Sequence, residues 1–221
     1  MNFLKPIFWC LVMTSCGGKQ DNQQLAHTYC KMALNDMAED GGAAHGYKRA
    51  LLAIDKALDC DQRPEYYACK GAILFKLGDY VQSEHCYDRA LAGHPEAPLA
   101  SEIINNRACL CAQRNDYAAA KKMWHSLTRD TTYQTPEVAW VNLGKTYIKE
   151  RNLAQAQQAF ERAVNLAPSY VDAHFYLSLV ERERGEHRLA RREADLVLKM
   201  EPGHQGALLL MAQTAQAEEM R

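Results

Sequence analysis

EVAWVNLGKTYIKERNLAQAQQAFERAVNLAPSY, from Glu137 to Tyr170, is followed without a gap by VDAHFYLSLVERERGEHRLARREADLVLKMEPGH, from Val171 to His204. Both blocks are 34 residues long, and they line up slot by slot. The first carries Trp140, Leu143, Gly144, Tyr147, Ala156, Phe160, Ala163 and Pro168. The second carries His174, Leu177, Ser178, Glu181, Ala190, Ala194, Val197 and Pro202 in the same places. Each block has the apolar spacing of two short amphipathic helices joined by a turn. Small residues recur at the eighth and twentieth slots, where the helices of a hairpin must approach closely. Large apolar residues fill the flanking slots. Proline closes the second helix, because it lacks an amide hydrogen and its ring collides with the preceding turn.

The period extends upstream. A block from Pro64 to Ala97 has Tyr67, Gly71, Leu74, Ser83, Tyr87, Ala90 and Pro95 in the expected slots, with Lys76–Tyr80 as its turn. Another, 101–134, has Ile104, Ala108, Cys111, Ala120, Trp124 and Leu127, with Arg114–Tyr117 as its turn; it lacks the closing proline, and Tyr133 to Pro136 lengthens its link to the next block. Residues 25–63 fit one degenerate repeat, with a first helix from His27 to Asp40 stopped by Gly41-Gly42 and a second carrying Ala50, Ile54 and Ala57. After the last block, 205–221 has Leu208, Met211, Ala212 and Ala215 at helical spacing but no partner helix, and reads as a cap on the last hairpin. On these residues the chain resembles tetratricopeptide-repeat (TPR) proteins. That resemblance implies an all-α, right-handed superhelical solenoid of helix hairpins with a C-terminal capping helix. An irregular helical bundle is the competing reading.

Apolar residues make up 48% and charged residues 24%, which fits a chain able to bury a sizeable core. No stretch after residue 20 has the roughly 18 apolar residues a membrane span needs. A formal charge of −1 gives no reason to expect nucleic acid as a partner. Glu181 to Glu193 alternates arginines and glutamates and reads as a solvated helix face laced with ion pairs.

The N-terminus reads as an address. Lys5 supplies a positive start, Ile7–Met13 a brief apolar run, and Thr14-Ser15 a small-residue exit, so residues 1–15 are expected to be a signal peptide. Met13-Thr14-Ser15-Cys16 resembles a bacterial lipobox, with methionine where leucine is usual. The resemblance makes Cys16 the lipidated (palmitate-bearing) N-terminus, followed through residue 24 by a polar tether. Gly17 after the cysteine is what outer-membrane lipoproteins usually show, which implies an outer-membrane, periplasm-facing or cell-surface location. An ordinary cleaved signal is the alternative.

Six further cysteines lie in the front half: Cys30, Cys60, Cys69, Cys86, Cys109 and Cys111. In an oxidising compartment they would allow disulfides, with Cys60–Cys69 across an inter-repeat turn the first pair to test. Cys109 and Cys111 point about 200° apart on one helix and cannot pair there. No four-ligand spacing suggests a metal, and no cofactor is expected. Catalytic signatures are also missing: there is no glycine-rich loop after a strand and no strand–turn–helix serine. The chain reads as a non-enzyme.

Tetratricopeptide arrays bind peptides on the side lined by their first helices, and the resemblance places groove residues at the second, fifth, ninth, twelfth and thirteenth slots. Here those include Phe75, Asn105, Val138, Val141, Lys145, Ile148, Lys149, Phe175, Leu179 and Arg182. The apolar group Val141, Ile148, Phe175 and Leu179 marks either a partner site or a contact with the chain's own terminal helix. Asn105–Cys111, and the lengthened link leading into Thr135-Pro136-Glu137 and Asn142-Leu143-Gly144, resemble the type IV pilus biogenesis lipoproteins, the PilF/PilW/Tgl type of pilotin. That resemblance implies a protein partner, the pilus secretin subunit, and attachment to a membrane through lipid. A general periplasmic scaffold for another envelope or secretion complex is the alternative, and a redox-responsive protein using the front cysteines is a third.

Overall fold

The computed structural model describes the backbone over residues 6–39 and 44–219, and side chains over 18–38 and 44–214. Among the described residues every regular element is a helix: α1 (Pro6–Glu39), α2 (Ala44–Cys60), α3 (Pro64–Leu77), α4 (Tyr80–Ala92), α5 (Ala97–Gln113), α6 (Tyr117–Leu127), α7 (Pro136–Lys149), α8 (Leu153–Leu166), α9 (Val171–Glu183), α10 (His187–Met200) and α11 (Gln205–Glu219). The all-α class expected from the repeats is the one observed. The chain forms two compact units, residues 1–103 and 104–221, with the division inside α5.

The hairpin turns share one device. The fifteenth slot of each 34-residue block is left-handed: Gly78 (φ 82°), Asn115 (φ 64°), Arg151 (φ 61°) and Gly185 (φ 80°). The next slot starts the second helix, and Asp79, Asp116 and Asn152 each accept a hydrogen bond from the backbone N–H three residues on, at 3.1 Å. A side chain that satisfies an orphan amide at a helix start stabilises it by about 1 kcal/mol. All four turns are therefore reversed by one αL residue, and three of them are restarted by a side-chain cap; Glu186, in the fourth, makes no such bond.

The small-residue slots do what close approach requires. In the first unit, a Cβ on Gly71 would lie 2.6 Å from the Tyr87 ring, and Ser83 Oγ donates to the Gly71 carbonyl at 2.8 Å. In the second, a Cβ on Gly144 would lie 2.5 Å from Phe160. Ala108, Ala120, Ala156 and Ala190 at the same slots are all fully buried.

Within the first unit α1 packs along α2 and α2 on α3, around Ala33, Ala50, Ile54, Leu58, Tyr66 and Ile73. Arg49 Nε donates to Asp36 Oδ1 across the α1–α2 pair at 2.9 Å. The polar stretch 16–24, expected as a tether outside the fold, has helical backbone continuous with α1, and Lys19 to Asn22 are exposed. Beyond Gly18 it contains no helix breaker, and extending an existing helix fixes one residue per hydrogen bond, whereas starting one fixes three. The signal-peptide side chains and the Cys16 thiol lie outside the described residues, as do Gly41 and Gly42.

The second unit is built on Trp124, Leu127, Tyr133, Leu143, Phe160, Leu177 and Val180. Phe160 stacks on Tyr176 with ring centroids 5.6 Å apart. Tyr133, in the lengthened link, turns inward and is buried, so the extra residues complete this core. α11 packs on α10 and α9, closing Ala190, Ala194 and Val197 with Ala207 and Leu210. The charged run beginning at Glu181 is not wholly a solvated face. Glu181 is only 5% exposed, because it occupies the inward slot held by Tyr147 one repeat earlier, and its Oε2 has no hydrogen-bond partner. Burial and the nearby Glu193, Glu186 and Glu161 push its carboxyl up to about 7. His174 is buried in the same repeat, with Nδ1 2.6 Å from Glu193 Oε2 and Nε2 3.0 Å from the Pro168 carbonyl.

Candidate functional site

α7 and α9 are the first helices of consecutive hairpins, and their sides, together with the α7–α8 turn, line an open cavity of about 760 Å³. Lys145, Ile148 and Lys149 share one face of α7 by their i, i+3, i+4 spacing, and Leu179, Arg182 and Glu183 do the same on α9. The floor is apolar: Ile148, Leu153, Tyr176, Leu179 and Val180. Around it stand Lys145, Lys149, Arg151 and Arg182, against the single carboxylate Glu183.

Some of these cations are positioned by neighbours. Lys145 Nζ lies 4.3 Å from the centre of the Tyr176 ring and 3.7 Å from Asp172 Oδ2. A cation held over an aromatic face keeps its charge while its stem covers apolar surface. Arg182 Nη1 donates to Gln213 Oε1 of α11 at 2.5 Å, and Nη2 to Glu183 Oε1 at 3.1 Å. Lys149 and Arg151 are exposed. A cavity of this size admits a short peptide segment, and its chemistry suits apolar side chains flanked by carboxylates.

Of the residues assigned to the groove by slot, Lys145, Ile148, Lys149, Leu179 and Arg182 come together here. Others do not. Val141 is 1% exposed, sealed into the core of the second unit. Phe175 is covered by α11: its ring is 4.6 Å from His204, and Gly206 is where it is because a Cβ there would lie 2.5 Å from the Phe175 ring. For that residue, contact with the chain's own terminal helix is the correct reading. Asn105 serves as an internal link, its Oδ1 accepting from Trp124 Nε1 at 2.9 Å. Val138 is half-buried but does not line the cavity. Phe75 belongs to the first unit, where its ring meets Tyr80 at 5.6 Å. The slot rule missed Tyr176, Leu153, Val180 and Arg151. Arg151 was findable, since the fifteenth slot lies in the turn just after every first helix.

The disulfide reading also changes. All six described cysteines are free thiols, and the thiol that meets Cys69 is Cys30, not Cys60. Cys60 ends α2, whereas Cys69 sits more than a turn into α3 and faces α1. Among the described residues no group of three or more His, Cys, Asp or Glu is placed to hold a metal, and no helix is long and apolar enough to cross a membrane.

Stacked hairpins presenting a cavity between successive first helices define a protein-binding repeat scaffold. A family model described as tetratricopeptide repeat matches residues 70–122 and 141–212, more than half of the chain, and the chain belongs to that family. MJ1428 of Methanocaldococcus jannaschii, a TPR repeat-containing protein, is 34% identical over 80 residues, 36% of this chain; the match spans 13% of that relative's length. Among solved structures, PilF of Pseudomonas aeruginosa superposes with a TM-score of 0.73 at 20% identity, covering 90% of this chain and 86% of that one. PilW, a widely conserved type IV pilus biogenesis factor, gives 0.75 at 22% identity, covering 89% and 87%. In fold, the chain resembles these pilus biogenesis factors.

Proposed function

We propose that this chain is a non-enzymatic lipoprotein of the outer membrane that binds a subunit of a type IV pilus secretin and brings it there for assembly. The observation that carries the reading is the cavity between α7 and α9, where an apolar floor is ringed by lysine and arginine. A partner segment with an apolar anchor and flanking carboxylates buries the first and pairs the second; the charges steer its approach and fix its register. The fold shared with PilF and PilW along most of both chains supports a pilus role.

Cys16, in its lipobox-like setting, would carry the acyl chains. One chain gives marginal membrane binding and several give a stable anchor. A secretin subunit held by an anchored scaffold meets its neighbours at the raised effective concentration that tethering provides. In a strain lacking the gene, secretin should remain monomeric and surface pili should be absent. The wild-type gene should restore both, and Cys16→Ala should leave the protein unlabelled by palmitate and off the outer membrane. Normal heat-stable secretin multimers in the deletion strain would reject the proposal.

A further inference from the structure

Cys30 on α1 and Cys69 on α3 are far apart in sequence, yet both pack against the same buried cluster of the first unit, near enough for each thiol to shift the other's ionisation. Both pack at the edge of the cluster formed by Ala33, Ile54 and Tyr66, and both are partly exposed, so a small reagent can reach them. Cys86, by contrast, is buried. α1 is held chiefly by α2 and touches α3 over a short stretch. A disulfide joins cysteines whose Cα atoms lie within about 7 Å, and α1 and α3 are already in contact. From this juxtaposition we infer that Cys30 and Cys69 are a redox-active dithiol whose oxidised form is an internal disulfide fastening α1 to α3.

The two sulfurs are not equivalent. The neighbouring Cys69 thiol lowers Cys30 from the usual thiol range, against partial burial and the Glu65 carboxylate, while Cys30 and burial raise Cys69. Either sulfur can attack first; with Cys30 attacking, Cys69 resolves. The oxidant is a disulfide, either of a small molecule or of a thiol–disulfide exchange protein. The Cys30 thiolate attacks one of its sulfurs, its own proton having gone to solvent; a mixed disulfide forms and the first thiolate leaves. Cys69 then loses its proton and attacks the Cys30 sulfur, expelling the second thiolate. Both leaving groups take up a proton. One protein disulfide has formed, two protein thiols have been oxidised, and the reagent disulfide has been reduced to two thiols.

The test uses the full chain, reduced and then exposed to oxidised glutathione. The expected product loses the mass of two hydrogens, and non-reducing peptide mapping joins the Cys30 and Cys69 peptides. Because the bond closes a loop of roughly 40 residues, unfolding should move up by roughly 6–15 °C, a gain that dithiothreitol reverses. Cys69→Ser should stop at a glutathione adduct on Cys30, and Cys60→Ser should change nothing. The inference is overturned if the wild-type chain joins Cys69 to Cys60 or to any other cysteine, if it accumulates the Cys30 adduct, or if it stays reduced. It is equally overturned if the Cys30–Cys69 bond forms and leaves thermal unfolding where it was. Mapping on the wild-type chain decides these outcomes even if a serine variant fails to fold.

Discussion

Gly144→Ala probes a close helix crossing in the second unit. The added Cβ would lie 2.5 Å from Phe160 Cε1 and Cζ, whereas carbon atoms rest at about 3.5–4.0 Å, so the ring must retreat by about 1 Å. It has nowhere easy to go: Phe160 is fully buried and stacked on Tyr176 at 5.6 Å. Overpacking of this kind costs about 1–3 kcal/mol, and the better helix propensity of alanine returns about 1 kcal/mol. The net expectation is a loss of about 1 kcal/mol, or about 2–4 °C for a chain of this size. In a Phe160→Leu background the ring is gone, so the same substitution should stabilise by about 0.5–1 kcal/mol through propensity alone. The sign change corresponds to a coupling of about 2 kcal/mol. Urea and thermal unfolding of the four variants, followed by circular dichroism, measure it. If Gly144→Ala stabilises both backgrounds equally, the glycine is not there for close approach and the packing account fails.

Glu181 makes stability depend on pH. Its carboxyl sits near 7 in the fold against an ordinary value of 4.5, so between those values the unfolded chain releases the proton while the folded chain keeps it. Stability should therefore fall as pH rises from about 4.5 to 7 and be flat above, by at most about 3 kcal/mol. Glu181→Gln should raise Tm at pH 7.5 and leave it unchanged at pH 4; equal effects at both would remove the buried carboxyl from the account. Arg151→Gly relieves a left-handed backbone at φ 61° and should stabilise by about 0.5–1 kcal/mol, whereas a loss on unfolding assays would contradict the turn geometry. Lys149→Glu, at an exposed rim position, should leave folding intact and weaken capture of the secretin subunit by about threefold to tenfold at low salt, with the difference shrinking in high salt. An unchanged affinity in a binding titration would count against the basic rim.

The architecture was legible because one period governs it. The eighth and twentieth slots foretold the contacts of Gly71 with Tyr87 and of Gly144 with Phe160, and Pro168 and Pro202 lie just past the ends of α8 and α10. The groove was legible only in part. Slot position says which way a side chain leaves its helix, not what stands opposite, so Val141 was placed in the groove although it is sealed in the core, and Phe175 although it meets the start of α11. Glu181 was read from its charge as solvated, but its slot is an inward one. Cys30 and Cys69 could not be paired from sequence, because the contact depends on how α1 lies across α3 and no repeat spacing encodes it.

The central claim, that a secretin subunit seats between α7 and α9, is tested most directly by photo-crosslinking in cells. A benzoylphenylalanine at Leu179, on the cavity floor, is compared with one at Leu189, exposed on α10 and outside the cavity. The account predicts a secretin adduct from position 179 and none from 189. Adducts from 189 alone, or equal yields from both while pili assemble normally, would contradict it.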